Sequence, residues 1–231
     1  MPHPATLANQ PPRFTPDAQS CTRRTAFGAP LSLRPVRPAD APLLAALVNG
    51  LPAAARRNRF HGAVQLSAQR LAQMCQVDPQ QQLALVVSTQ ADGSTCLVAD
   101  ARCCIAGDGL SADFALMVDA RWQRHGLGGW ALQALLAACS QAGLQWLRGD
   151  VLDHNLPMLA LAQRCGFATS PDPDDARLLR VQRRLTSAPQ PVAGWQAPWR
   201  SAAAVAAAGA GLGWLTRAVN SWPTRRAAVG Q

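Results

Sequence analysis

The sequence predicts an α/β fold of the α+β kind, with helices flanking a mixed, mostly antiparallel central sheet. Three observations support this prediction. The 231 residues suffice for one substantial core with additional terminal segments. Short runs with strand-like alternation are interspersed with longer runs of helical apolar spacing. Between two of the strand-like runs, the turn ADGS (91–94) carries the Asp-Gly pair that favours an antiparallel hairpin.

The first half of the domain is predicted to contain three strands and two helices. Pro38 suits the first turn of a helix because its fixed φ is already helical. Ser67 suits the N-cap of a second helix because its hydroxyl can accept a hydrogen bond from a free backbone N–H group. The predicted elements are a strand at 31–37, helices at 38–51 and 66–78, and hairpin strands at 82–90 and 95–106.

The second half is predicted to alternate strands with helices. Gly143 follows a helical run, as glycine does in C-terminal caps. Asn155 opens the next helical run, with Pro157 near its first turn. The predicted elements are a strand at 112–119, a helix at 127–142, a strand at 144–152, a helix at 155–167 and a last strand at 176–185.

The segment AARRNRFHG (54–62) is basic and is predicted to be a helix or a loop. Its arginines, Arg56, Arg57 and Arg59, have two interpretations. They form a solvated helix face, or they guide an acidic substrate and form part of an acceptor wall.

The net charge of +9 comes from arginine alone, since the chain contains no lysine. A basic balance of this size is compatible with a nucleic-acid partner. The arginines are scattered, however, and no basic run alternates with aromatic residues as in single-strand binders. The sequence therefore predicts no nucleic-acid partner.

Both ends of the chain differ in composition from the middle, which places the folded domain at 31–185. Residues 1–30 are rich in Pro, Ala, Thr and Gln without periodicity and are predicted to be a disordered leader. Residues 186–231 are predicted to be a Pro/Ala/Trp-rich tail, a linker followed by one marginal helix. The tryptophans and arginines of this tail also suit contact with an anionic membrane surface, although a poorly ordered tail is the simpler interpretation.

The seven cysteines form no CxxC pair, and no histidine stands at zinc-finger spacing, so no metal site is predicted. Several of them lie in apolar runs, where a reduced cysteine packs as a small hydrophobic residue. Their odd number, without a secretory signal, predicts reduced thiols and a cytoplasmic location.

The stretch QRHGLGG (123–129) places three glycines between a predicted strand and a predicted helix. Bare backbone at such a bend directs N–H groups into a concavity at the positive end of the helix dipole, which suits a phosphate. A side chain at Gly126 or Gly128 is expected to fill space that the anion needs. The stretch is neither a P-loop nor the dinucleotide fingerprint GxGxxG, and a tight connection without a ligand is the alternative.

With its flanks, this stretch resembles the GCN5-related N-acetyltransferase (GNAT) superfamily. Residues 123–128 fit the signature Q/R-x-x-G-x-G/A. The segments DFALMVDARWQRHGLGGWALQALLAAC and LRGDVLDHNLPMLALAQRCGF are similar to the family's strands and helices around that signature. The resemblance covers about residues 31–185. It implies a GNAT fold that uses acetyl-CoA as co-substrate and acetylates an amine.

The resemblance also implies which residues bind coenzyme A. Backbone groups of Leu116 and Val118 pair with the pantetheine arm, and an N–H group there polarises the thioester carbonyl. Asn155 contacts the cofactor from the next helix. The pyrophosphate is held by Arg124, His125, Gly126, Leu127, Gly128 and Gly129.

The front end, LRPVRPADAPLLAAL…RRNRFHG, is similar to the acetyltransferase domain of bacterial Pat-type protein lysine acetyltransferases. This similarity implies that the acceptor is a protein lysine or a small-molecule amine.

In the family, an acidic residue early in the strand before the bend removes the amine proton, and Asp113 holds that position. The Pat pattern usually reads AEFA where this chain reads ADFA, and the shorter aspartate favours a proton relayed by water. Asp100 and Asp150 are alternatives, whereas Asp119 is expected to cap the turn. His125 lies within the phosphate loop, which argues for anion contact or simple exposure rather than catalysis.

Many relatives use a tyrosine in the Asn-headed helix to protonate the leaving thiolate. The equivalent residue is Ala162, and the chain contains no tyrosine, so that role falls to water or is dispensable. The aspartate and the missing tyrosine leave a second function open, a non-catalytic domain that senses acyl-CoA. The Trp- and Arg-containing tail leaves a third, a membrane-associated scaffold.

Overall fold

A computed structural model gives the fold of the chain and describes most of its middle part. The described residues are 14, 21–25, 28–62, 65–91 and 93–185. The predictions for the tail at 186–231 lie outside them, as do those for most of 1–20. Within the described ranges, no helix has both the length and the apolar character needed to cross a membrane.

Among the described residues, eight strands form one open sheet. They are β1 (Cys21–Arg24), β2 (Pro30–Pro35), β3 (Gln82–Ala91), β4 (Ser94–Ile105), β5 (Ser111–Val118), β6 (Trp146–Leu152), β7 (Ala168–Pro171) and β8 (Leu178–Arg184). Their order in the sheet is β1-β2-β3-β4-β5-β6-β8-β7. Every neighbouring pair is antiparallel except β5 and β6, which are parallel. The predicted mixed, mostly antiparallel sheet is therefore confirmed.

Within the described part of the chain, five α-helices flank the sheet. They are α1 (Ala41–Gly50), α2 (Ala53–Phe60), α3 (Ala68–Met74), α4 (Leu127–Gln141) and α5 (Leu156–Arg164). The predicted caps are present: the Ser67 hydroxyl accepts a hydrogen bond from the Arg70 amide, and Gly143 follows α4 with a φ of 75°. A 3₁₀ turn, Pro38–Asp40, precedes α1, so Pro38 does begin the helical region.

The sheet separates two apolar cores. One core contains the buried face of α4, together with Phe114 of β5 and Ala162 of α5. The other contains the inward faces of α1, α2 and α3, together with Met117 of β5. Alternate residues of β5 therefore face opposite cores, as the predicted alternation requires.

Two strands were not predicted, and both are short. β1 lies inside the range predicted as a disordered leader, and Phe14 in the same range is buried. The folded domain therefore begins before residue 31. β1 reads CTRR and β7 reads ATSP, and neither has an apolar alternation of its own. Main-chain pairing with β2 and β8 fixes them, and such pairing is not visible in a local sequence pattern.

The basic segment is a helix, α2, but its three arginines do not share one environment. Arg57 is exposed, whereas Arg59 is buried and its Nη2 lies 4.0 Å from Oδ2 of Asp100. Neither interpretation of the cluster holds for Arg59, because its guanidinium is a buried counter-ion of a core aspartate. Burial lowers the pKa of Arg59 to about 10, and Asp100 opposes that effect.

Candidate active site

The sheet is split between its two parallel strands. β5 and β6 pair from Ser111–Trp146 only as far as Asp113–Arg148. Beyond that pair, β5 continues along β4 to Val118, and β6 continues along β8 to Leu152. A cleft therefore opens between β5 and β6, and its vertex lies at Asp113 and Arg148. The residue after this vertex is Gly149, and a larger residue would not fit there, since a Cβ would lie only 2.8 Å from the ring of Phe114.

The edge of β5 that faces this cleft carries main-chain groups of Leu116 and Val118 that do not pair with β4. The amide of Asp119 donates to the Val98 carbonyl of β4 at 2.9 Å. Since alternate residues of an antiparallel strand direct their N–H and C=O groups to opposite sides, Leu116 and Val118 direct theirs away from β4. The Gln123 side chain donates to the Val118 carbonyl at 3.1 Å and so ties the glycine bend to the end of β5.

The glycine bend lies at the open end of the cleft. Gly126 has a φ of 79° and Arg124 a φ of 61°, so two residues of the bend are left-handed. α4 then begins at Leu127, and the Trp130 amide donates to the Gly126 carbonyl at 3.0 Å in the first helical hydrogen bond. The amides of Leu127, Gly128 and Gly129 precede that bond and have no acceptor within the helix. They are available to an anion.

The reasons for glycine here differ from the expected one. At Gly126 the left-handed backbone favours glycine, and a Cβ would lie 3.7 Å from the Arg23 guanidinium. At Gly128 a Cβ would lie 3.1 Å from Leu161 of α5 and 3.5 Å from Leu116. The bare backbone at Gly128 therefore permits close packing of α4 against α5 and β5, rather than only leaving room for an anion.

Two other predicted residues near the bend have structural contacts. Nδ1 of His125 lies 2.7 Å from the Gln123 carbonyl oxygen, a contact that orients the partly exposed side chain within the bend. The Asn155 side chain accepts a hydrogen bond from the Met158 amide at 3.4 Å and caps α5. Since Leu161 of the same helix reaches Gly128, α5 forms the wall of the cleft opposite β5.

Asp113 lies at the closed end of the cleft. Val118 lies five positions further along the extended strand, a distance of about 17 Å. A ligand that contacts both the bend and Asp113 must therefore be long and thin. Register pairs place Gln82, Cys104, Asp113 and Arg148 in one row across four strands.

The environment of Asp113 makes it a stronger base than an ordinary aspartate. Burial, and secondly the charge of Asp150, raise the pKa of Asp113 to about 6, although Arg148 and Arg180 act in the opposite direction. A pocket of about 30 Å³ adjoins its carboxylate and is also lined by Arg102 and Cys104. Such a volume holds one or two water molecules.

Three other aspartates lie on or next to the strands around Asp113, and their contacts separate them. Asp119 caps the turn after β5 by accepting from the Arg121 amide at 2.9 Å, as predicted. Asp100 is buried beneath α2 and bonded to the Arg102 guanidinium. Asp150 lies on β6 beyond the vertex, where it accepts from Arg180 at 3.1 Å. Of the three, only Asp150 faces the cleft close enough to Asp113 to affect its pKa.

Sequence reasoning gave no role to His61, which the structure places near Asp150. It ends α2 with a φ of 54°, and its Nδ1 atom is buried without a hydrogen-bond partner in the described part of the chain. Burial lowers the pKa of His61, with the nearby Asp150 opposing that effect, so the ring is neutral at pH 7. No local sequence signal links residue 61 to residue 150.

The comparisons with known proteins agree with this geometry. A family model described as "Acetyltransferase (GNAT) domain" matches residues 31–168, more than half of the chain. This chain therefore belongs to the GNAT acetyltransferase family, whose members are acyltransferases that bind coenzyme A.

Solved structures show the same fold. The GNAT domain of S. lividans PAT is 19% identical, with a TM-score of 0.64 over 72% of this chain and 97% of that chain. Mycobacterium smegmatis RimJ in complex with CoA-disulfide is 20% identical, with a TM-score of 0.57 over 76% of this chain and 90% of that chain. An acetyltransferase from Thermus thermophilus is 26% identical, with a TM-score of 0.52 over 67% of this chain and 97% of that chain.

Proposed function

We propose that this chain transfers the acetyl group of acetyl-CoA to a primary amine, with protein lysines among the candidate acceptors. One observation carries the proposal: a basic carboxylate, Asp113, lies at the vertex of a cleft whose other end is a bend of free amides. In this assignment the bend holds the pyrophosphate, through Arg124, His125, Gly126, Leu127, Gly128 and Gly129. The pantetheine arm lies along the free edge of β5 at Leu116 and Val118, opposite α5 and Asn155.

Asp113 acts as the general base. An alkylammonium ion has a pKa near 10.4 and must lose a proton before it can attack. With a pKa of about 6, Asp113 is mostly ionised at pH 7 and yet is a better proton acceptor than an aspartate of ordinary pKa. The pocket beside its carboxylate has room for a water molecule, which supports relay of the proton through water.

The neutral amine then attacks the thioester carbonyl carbon directly. A free N–H group of β5 stabilises the developing oxyanion, and the C–S bond breaks with its electron pair on sulfur. The second amine proton is released as the amide forms, and solvent returns a proton to the thiolate. Ala162 is buried and has no polar atom to take that role.

Direct attack is favoured over an acyl-cysteine intermediate. Cys104 is the thiol beside Asp113, in register with it on β4. Burial and the neighbouring Cys103 raise the pKa of Cys104 to about 12, so the thiol stays protonated at neutral pH and is a poor nucleophile.

Thiol release from acetyl-CoA tests the proposal. The protein is incubated with acetyl-CoA and with lysine-containing proteins, polyamines or aminoglycosides, and free thiol is followed. Asp113→Asn is expected to lower turnover about 10²- to 10⁴-fold while coenzyme A binding is retained. Asp78→Asn is the matched control, because the Asp78 side chain accepts from the Gln80 amide in a turn before β3, away from the cleft. Equal turnover of the Asp113 variant and the parent would contradict the assignment of the base.

The same experiment separates catalysis from sensing. Two features favour a non-catalytic acyl-CoA sensor: Asp113 stands where the Pat pattern has a glutamate, and the apolar Ala162 stands where many relatives have a tyrosine. Calorimetric binding of acetyl-CoA without thiol release on any acceptor would support the sensor and contradict the enzyme.

A further inference from the structure

Arg23 of β1 reaches the glycine bend from outside the family match. β1 is the edge strand of the sheet, and residues 21–24 precede the matched range 31–168. The Arg23 guanidinium lies over the Trp130 ring of α4, with Cζ 5.3 Å from the ring centroid. Its Nη2 atom lies 3.7 Å from the position that a Cβ of Gly126 would occupy. One arginine thus connects the first strand to the start of α4.

The charge of Arg23 contrasts with that of other arginines in the molecule. Arg34, Arg102, Arg121, Arg177 and Arg180 each bond an aspartate at 3.1 Å or less. Within the described ranges no aspartate forms an ion pair with Arg23, and its side chain is exposed. The Trp130 ring orients the guanidinium plane but neutralises none of its charge.

The geometry points to Arg23 as an additional phosphate ligand for the co-substrate, an inference that rests on the proposed function. The free amides of α4 and the Arg23 guanidinium flank Gly126, so an anion at the bend is within reach of both. A guanidinium donates parallel N–H groups to phosphate oxygens, and its stacking on an aromatic ring reduces the entropy lost on binding. Coenzyme A offers two sources of such oxygens, its diphosphate and its 3′-phosphate.

Binding measurements on Arg23→Gln test this inference. Three ligands are compared by calorimetry: coenzyme A, dephospho-coenzyme A, which lacks only the 3′-phosphate, and pantetheine, which has no phosphate. Arg24→Gln is the matched control, because it removes the same charge from the next residue of β1, whose guanidinium bonds the Gly28 carbonyl. Unfolding midpoints of both variants establish that the fold is intact.

Arg23→Gln is expected to weaken coenzyme A binding about tenfold, and Arg24→Gln less than twofold. If Arg23→Gln loses the same affinity for dephospho-coenzyme A, Arg23 contacts the diphosphate. If it loses no affinity for dephospho-coenzyme A, Arg23 contacts the 3′-phosphate. Pantetheine binding is unchanged in both cases. Arg23→Lys is expected to recover part of the affinity, since it keeps the charge but not the planar fork.

Two results would overturn the inference while leaving the proposed function intact. One is an Arg23→Gln variant that binds coenzyme A as tightly as Arg24→Gln does. The other is an equal loss for all three ligands, pantetheine included, which would indicate a distorted cleft. A parent protein that binds none of the three ligands would instead contradict the proposed function, and Arg23 with it.

Discussion

Asp100 and Asp113 lie on the same face of adjacent strands, and their surroundings give them different roles. Asp100 on β4 is fully buried beneath α2, bonded to Arg102 and 4.0 Å from Arg59. Asp113 on β5 is only partly buried, and its strongest charged neighbour is another carboxylate, Asp150. Two arginines therefore hold the Asp100 carboxylate in place. The like charge of Asp150, added to burial, instead raises the affinity of Asp113 for a proton.

The comparison shows that burial alone does not single out the aspartate proposed as the general base. Asp100 is the more buried of the two, and its ion pairs with Arg59 and Arg102 give it a structural role. Arg102 also donates to the Met74 carbonyl at the end of α3, so the Asp100 cluster fixes α2 and α3 over the sheet. Four substitutions test this division of roles.

Asp100→Asn is expected to show the largest effect on stability. The substitution leaves the Arg59 and Arg102 guanidiniums buried without a counter-charge, which costs about 3–5 kcal/mol. Urea denaturation at pH 7 measures the change, with Asp78→Asn as control. A loss below about 1 kcal/mol would show that the cluster is not the structural centre described above.

Asp113→Asn is expected to stabilise the fold at high pH. The raised pKa, about 6 against an ordinary 3.8, means that ionised Asp113 opposes folding. The stability contributed by protonated Asp113 is complete below pH 3.8 and is lost as the pH rises through about 6. The variant should therefore gain about 3 kcal/mol at pH 8, since each pKa unit is worth about 1.4 kcal/mol, and close to nothing at pH 3. Denaturation at both values checks the sign, and a loss at pH 8 would contradict it.

Asp150→Asn is expected to shift the acid limb of the pH–rate profile without abolishing activity. In the parent, turnover should fall below about pH 6 as Asp113 gains its proton. Burial is the larger cause of the raised pKa and persists in the variant, so the limb moves to lower pH only modestly. At pH 5.5 the rate relative to that at pH 8 should rise about twofold. An unchanged profile would mean that the two carboxylates do not interact.

Arg121→Gln is expected to have the smallest effect. Arg121 bonds Asp119 at 2.8 Å, close to the 2.7 Å between the largely buried Arg34 and Asp40. The Arg121 side chain, however, is 82% exposed. Solvent screens such pairs, so neither the unfolding midpoint nor turnover should change measurably. Thermal denaturation and the thiol assay check this. A clear loss of stability or turnover would mean that an ion pair contributes even where it is exposed to solvent.

Much of the fold could be predicted from local patterns. Ser67, Gly93 and Gly143 act within a few residues of their own positions, so their sequence context is also their structural context. Asp113 and the glycine bend could be proposed as site residues because a strand and the turn after it are continuous in sequence. Arg59 could not be assigned, since its partner Asp100 is 41 residues away on another element.

The sequence by itself determined the class of fold, the glycine bend and the candidate base, because hydrophobic period, backbone freedom and motif spacing are local properties. Only the tertiary structure decided which charges meet. It brought Asp150 and His61 to the closed end of the cleft, and Arg23 to the glycine bend. It also placed Asp100 between two arginines. Electrostatic partners are set by strand register and helix packing, and these join residues that the chain keeps far apart.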